Sequence, residues 1–146
     1  MLIPDLNLLL YATNRDAPLH AAARDWWRRV LGGTEAIGIA PVVAFGFIRL
    51  VTLPRVCPSP LTPAQAIETL HAWLALPGVQ PLSSDPRHLE ITLGLLHAAG
   101  AAGNLTTDAQ IAAHAIQHAG TVLTTDTDFA RFPGLRFRNP LLPPGS

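Results

Sequence analysis

Three aspartates stand where apolar runs stop: Asp5 after Leu2-Ile3-Pro4, Asp126 shortly after Val122-Leu123, and Asp108 ahead of Ile111, Ala112 and Ala115. A fourth, Asp128, lies two residues beyond Asp126 in the run Thr124-Thr125-Asp126-Thr127-Asp128-Phe129. Charged residues make up only 14% of the chain, so acids at these positions call for a physical reason. Two carboxylates about 5 Å apart at an effective dielectric of roughly 20 repel by about 3 kcal/mol, and three mutual pairs by roughly three times that. Such a cluster must take up protons or bind a cation. Oxygen donors suit hard divalent ions, Mg²⁺ or Mn²⁺. An ion held there can activate water and stabilise charge developing on a phosphodiester, which is nuclease chemistry.

Each acid taken alone also has a structural reading. Asp108 can serve as an acid at the positive end of a helix, and Asp126 and Asp128 can be turn residues that cap the short helix begun by Phe129. Asp5 is harder to place this way, because it ends an otherwise apolar strand. The remaining polar features carry less chemistry. His114 and His118 are four apart, but no H-E-x-x-H glutamate accompanies them and their helix is expected to be partly exposed. Arg24, Arg28 and Arg29 read as a solvated helix face, Trp26 and Trp27 as core, and Cys57 sits in a proline-rich loop without a catalytic pattern.

The elements that must position the acids follow from periodicity and punctuation. Leu2 to Pro4 is a predicted strand, followed by helical Leu8 to Tyr11. Leu19, Ala22, Ala23, Trp26, Trp27 and Val30 then mark one face of a helix stopped by Gly32-Gly33. Ala36 to Ile39 is a candidate strand, and Pro41 opens a helix to about Thr52. Leu53 to Pro60 is loop. Thr62-Pro63-Ala64-Gln65 matches a capping box leading into an apolar stripe of Ile67, Leu70 and Leu74. Asp85-Pro86 opens a helix ending near Gly100, a further helix runs from about Thr107 to His118, Thr121 to Thr124 is a buried strand, and Leu135 to Phe137 is a further strand candidate. Strands alternating with helices predict an α/β fold with a parallel sheet covered on both faces. In such a sheet ligands bind beyond the carboxyl ends of the strands, the edge from which Asp5 and Asp126 would project.

Composition bounds the rest. The chain has 146 residues, 49% of them hydrophobic, and reads as one domain over 1–146, with a core to about residue 140 and a short proline-rich tail. A formal net charge of zero provides no global field for a nucleic-acid backbone, so any such role rests on a local site. The single cysteine excludes an internal disulfide framework and fits a reducing, cytoplasmic setting. The N-terminus has no signal-peptide pattern and no apolar run reaches membrane-spanning length, which predicts a soluble protein without a membrane partner.

With these residues in view, the chain resembles the PIN-domain ribonucleases, and most closely the VapC-type toxins of bacterial toxin–antitoxin pairs. The resemblance runs nearly end to end. It rests on Asp5 with Asn7 in "DLN", on "FGFIRLVTLPRV" from Phe45, on "GNLTTDAQIAAHAIQHAG" from Gly103, and on "TTDTDFARFPGL" from Thr124. It implies a three-layer α/β/α domain with a central, mostly parallel sheet, and Mg²⁺-dependent endoribonuclease activity through metal-activated water. Mn²⁺ would be a substitute ion. It further implies that Asp5, Asp108 and Asp126 hold the metal, that Asp128 assists them, that Thr124 offers a hydroxyl to the acids, and that Arg49 pairs structurally or contacts phosphate. A cognate antitoxin and a homodimer are the partners expected beside the RNA substrate. One departure stands out: where many members read E-F-x-R, this chain reads Gly46-Phe47-Ile48-Arg49, so a usual metal-site glutamate is absent. Two other classes therefore stay open. One is a module of the same fold that binds RNA or an antitoxin without cleaving; the other is an aspartate-based phosphotransferase, which the sequence Asp5-Leu6-Asn7 disfavours because its usual D-x-D is missing.

Overall fold

The computed structural model describes residues 1–144; the last two residues of the proline-rich tail lie outside the described part. The elements run β1 (Leu2–Pro4), α1 (Leu6–Thr13), α2 (His20–Leu31), β2 (Ile37–Ile39), α3 (Pro41–Val51), α4 (Pro63–Leu74), β3 (Val79–Pro81), α5 (Pro86–Ala99), α6 (Leu105–Gln117), β4 (Thr121–Leu123), a 3₁₀ turn (Thr127–Arg131) and β5 (Phe137–Arg138). The five strands form one sheet in the order β3-β2-β1-β4-β5, and every pairing is parallel. Helices enclose it as a three-layer α/β/α fold. On the helical side α1 packs on α2 and α3, and α3 on α4, while α5 packs on α6, which lies across β1 and β4.

This order makes β1 the central strand and places a topological switch between β1 and β4. From β1 the chain proceeds to β2 and β3 on one side, then returns to β4 and β5 on the other. Loops leaving the carboxyl ends of β1 and β4 therefore diverge around a crevice, the standard ligand position of open α/β sheets. Pro4 contributes to its opening. The Leu2 and Asp5 amides donate to Ala36 and Leu123 at 2.8 Å each, to opposite sides of β1, and Pro4 has no amide to give to the β2 side. Pairing with β2 is registered only at Leu2, whereas β4 is followed through Pro4.

Several helix starts follow their sequence signals. Pro41 occupies the first turn of α3. At α4 the Gln65 amide donates to Thr62 Oγ1 at 3.2 Å and the Thr62 amide to Gln65 Oε1 at 2.9 Å, a closed capping box. Asp85 caps α5 by accepting from the His88 amide at 2.8 Å, and Gly100, at φ 66°, ends it in the left-handed region that glycine adopts without strain.

The structure departs from the sequence reading at particular places. The sheet is wholly parallel, and β3 was not expected: Val79 is buried but Gln80 and Pro81 are exposed on an edge strand too short and polar to leave a periodic signal. In α4, Ala66 and Leu70 face the core while Ile67 is 43% exposed. Leu19, which precedes α2, and Ala22 within it are exposed, and Ala23, Trp26 and Trp27 are buried. Helix α6 starts at Leu105, so Asp108 lies within its first turn and not at its beginning.

The core behind the site is fully packed. Phe47 of α3 has no exposed surface, and its ring lies 5.0 Å from that of Trp73 of α4. Phe47→Ala is expected to cost about 3–5 kcal/mol through lost transfer energy and a residual cavity, read as a lower urea midpoint at unchanged slope. A loss under about 1 kcal/mol would show that α3 does not anchor the core. Among the described residues no helix is long and apolar enough to cross a membrane.

Candidate active site

The four aspartates converge on the crevice at the β1/β4 switch point. Asp5 follows β1 directly and is 3% exposed. Its carboxylate is tied to the end of β4, since Thr124 Oγ1 donates to Asp5 Oδ2 at 2.7 Å. The same hydroxyl oxygen accepts from the Asp126 amide at 2.9 Å. Thr124 thus couples the loops leaving the two central strands. Asp126 in turn accepts from the Asp128 amide at 2.8 Å, so Asp126, not Asp128, caps the 3₁₀ turn and Asp128 stands in its first turn. The shorter Asx geometry explains this: a carboxylate reaches the amide two residues on, which here is that of Asp128.

Asp108 comes from the opposite wall. Its helix buries Leu105, Ala109, Ile111 and Ala112 against the sheet, which points the first turn of α6 at the acids leaving β4. One oxygen each of Asp108, Asp126 and Asp128 lie within 4.8 Å of one another. Asp5 stands outside that closest set, behind Thr124, yet near enough for its charge to act on Asp108.

The electrostatics are those of a pocket lined by four acids. Asp108 is pushed up to about 7, first by burial and then by the charges of Asp5, Asp126 and Asp128. Asp5 is also raised, chiefly by burial; the Thr124 hydroxyl and the nearby amides of Leu6 and Asn7 oppose this, although no capping hydrogen bond closes at Asp5. The Arg24–Asp25 contact at 3.3 Å is the one ion pair among the described residues, so none of the four acids has a cationic partner. A cluster of hard oxygen donors, unpaired with arginine or lysine among the described residues, fits a divalent cation.

Comparison with known proteins supplies the family. The model for the PIN domain matches residues 2–135, nearly the whole chain. The chain belongs to the PIN-domain family. Within the family it is of the VapC type: it is 45% identical over 141 residues to ribonuclease VapC33 of Mycobacterium tuberculosis, an alignment covering 97% of this chain and 99% of that protein. Among solved structures, VapC20 of M. tuberculosis, described as a sarcin-ricin loop cleaving toxin, has a TM-score of 0.69 at 16% identity and covers 93% of this chain and 99% of its own. VapBC2 of Rickettsia felis, solved on a DNA fragment from its promoter, has a TM-score of 0.68 at 20% identity over 94% and 97% of the two chains.

In this PIN domain the end of the Leu6 side chain reaches the face of α3 at Gly46, where the usual glutamate is absent. A Cβ built on Gly46 would lie 2.8 Å from Leu6 Cδ2, so Leu6, the residue after Asp5, occupies the room beside that helix face. The histidines also differ from expectation. His114 is 1% exposed and stacks on His88 of α5 with ring centroids 3.9 Å apart, while His118 caps the exposed end of α6. They form no metal-binding group with a third ligand among the described residues. The signal for burial was available, since His114 falls on the Ile111-Ala115 face of the helix. His88 gave no comparable sequence signal.

Thr124 offers a test that separates positioning from general stability. Thr124→Val keeps the shape but removes both hydrogen bonds of the hydroxyl, leaving Asp5 buried without its closest partner. We expect a loss of about 1–3 kcal/mol in denaturant unfolding, rescued by Thr124→Ser. Equal losses in the two variants would mean that the methyl group, not the hydroxyl, matters.

Proposed function

We propose that the protein is a divalent-metal-dependent endoribonuclease, the toxin of a toxin–antitoxin pair. The observation that carries the reading is the meeting of Asp108, Asp126 and Asp128 at the switch point of a PIN domain, with Asp5 behind them and, among the described residues, no cationic side chain paired to any of the four. Its relatives support the activity, since VapC33 is named a ribonuclease, and the solved VapBC complex supports a protein partner. Residues for holding Mg²⁺, or Mn²⁺ in its place, are Asp108 and Asp126 with Asp5, and Asp128 joins them in the absence of a glutamate at position 46. A bound divalent ion supplies charge neutralisation for the phosphodiester and acidifies water.

The chain's own groups have separable duties. Asp126 shapes the loop by capping the turn, and Asp128 presents its carboxylate from that turn toward Asp108. Thr124 holds Asp5 in one orientation by donating a hydrogen bond to Oδ2. Asp108, pushed up to about 7, gains or loses its proton near neutrality and is the group through which pH reaches the site. The phosphotransferase reading has no support in this arrangement, because Asp5 is buried against Thr124 and lacks a second acid two residues on. The same fold in a non-cleaving role is the remaining competitor.

Induced expression in a bacterial host tests the reading. Wild-type protein should arrest growth and generate new RNA 5′ ends at restricted positions, and co-expression of the cognate antitoxin should relieve both. Asp5→Asn and Asp108→Asn should be harmless. Full toxicity in either variant at equal protein level would contradict the proposed site.

A further inference from the structure

Beside the acids lies a concavity of about 470 Å³ between α1, α3 and α6. It adjoins them, because Leu6 and Thr107, the chain neighbours of Asp5 and Asp108, both line it. No carboxylate contributes to its lining, although four gather next to it. Its α3 wall carries no acid at all, since Gly46 stands where the usual glutamate would add one. The charge on that wall is the guanidinium of Arg49, which shares a helix face with Pro41 and Phe45. Arg49 is exposed and has no ion-pair partner among the described residues. It lies just over two helical turns beyond Pro41, about 12 Å at the helical rise, and so is placed for a phosphate beyond the one at the acids.

A second arginine belongs to the segment that carries Asp128. Arg131 is the last residue of the 3₁₀ turn, and side chains three apart in such a turn eclipse one another, which sets Arg131 on the side of Asp128. The two form no ion pair among the described residues. Arg131 Nη2 donates to the Ala99 carbonyl at the end of α5 at a long 3.4 Å, which leaves most of the five guanidinium N–H donors for another partner. Helix α6 touches both α3 and the 3₁₀ turn, with Thr107 on the concavity and Asp108 on the turn, so the two arginines stand to either side of the acids.

We propose that Arg49 and Arg131 bind backbone phosphates on opposite sides of the scissile bond, so that single-stranded RNA runs from the concavity across the acids and past the 3₁₀ turn. The inference rests on RNA being the substrate of this site. An RNA strand brings further phosphates beside the scissile one, and four carboxylates repel them. With a formal net charge of zero, the chain has no general field to offset that repulsion, and a cation on either side does so locally. All ten cationic residues of the chain are arginine, so each contact can be the bidentate fork that matches a phosphate.

The test is an anisotropy titration of the full chain with short fluorescent single-stranded RNAs of different sequence, in chelator and over a series of salt concentrations, with cleavage in Mg²⁺ measured in parallel. Arg49→Gln and Arg131→Gln should each weaken binding of every RNA by about fivefold or more and lower the salt slope by about 0.7, the share of one phosphate contact on a single strand. In cleavage each should lower kcat/KM by the same factor, through KM. The double variant should lose about 25-fold or more. Arg28→Gln removes the same charge from the last turn of α2, which leads toward the amino end of β2, and should leave binding unchanged. All three arginines are exposed, so the variants keep the fold. Unchanged binding in Arg49→Gln or Arg131→Gln, an equal loss in Arg28→Gln, or no RNA binding at any salt would overturn the proposal. So would a lower Tm in Arg49→Gln with binding intact, the mark of an arginine that serves only the end of its helix. RNA bound with these losses but never cut would sink the nuclease reading and leave the two contacts standing.

Discussion

Asp108→Asn is expected to lower Mg²⁺-dependent RNA cleavage by at least about 100-fold, since even residues that only support a metal ligand contribute about 10–100-fold. The same change should stabilise the chelated protein. Asp108 is half-buried among three other acids, and the amide removes a charge that the folded state disfavours. Removing repulsion of about 1–2 kcal/mol would raise Tm by about 3–8 °C for a domain of this size. Opposite signs for activity and stability distinguish a functional acid from a structural one. If asparagine instead lowers Tm while activity falls, Asp108 serves the fold as a first-turn acid, and the case for a metal site weakens.

The second large effect is a metal-dependent gain in stability that grows with pH. Asp108 lies at about 7 in the folded state against an ordinary 3.8, so the folded state binds more protons across that window. Its contribution is therefore fully present below about 4 and is lost as pH rises through about 7. Burial moves Asp5 in the same direction. His114 acts oppositely: lowered from 6.5 to about 4, it makes the folded state more stable as pH rises through that interval. The two trends overlap between about 4 and 6.5, so the chelated protein's profile is flattened there and falls from about 6.5 to above 7. A divalent ion must displace the proton on Asp108, and its stabilisation should be small at pH 5 and large at pH 8. At a concentration of 100 times Kd it amounts to about 2.7 kcal/mol. Thermal melts at both pH values, with Mn²⁺ and with chelator, check this; a Tm indifferent to metal at pH 8 would contradict it.

Much of this arrangement is legible in the sequence. The acids at the ends of β1 and β4 follow from apolar strands that stop at aspartate, and proline and capping-box signals located the starts of α3, α4 and α5. What could not be read is what depends on three-dimensional neighbours. Asp128 and Asp126 share one motif, yet only the turn's hydrogen bond shows that Asp126 is the cap, while both acids meet Asp108. Gly46 reads in sequence as a missing acid, and only the structure shows that the Leu6 side chain ends 2.8 Å from where its Cβ would lie. β3 escaped because an edge strand with two exposed residues carries no periodicity. Ile67 shares an apolar stripe with Leu70 and Leu74 in the sequence but is exposed, because helical spacing fixes which residues share a face and not which part of it meets the core.

Whether these acids form a divalent-ion site that cuts RNA is decided by incubating purified wild-type protein and Asp108→Asn with total RNA in Mg²⁺ or Mn²⁺ and in chelator, and mapping the ends produced. Discrete cuts by the wild type, abolished by chelator, restored by added metal and absent from the variant, are the predicted result. Cuts that persist in chelator or in Asp108→Asn, or no cuts by a folded wild type with either metal, would contradict it.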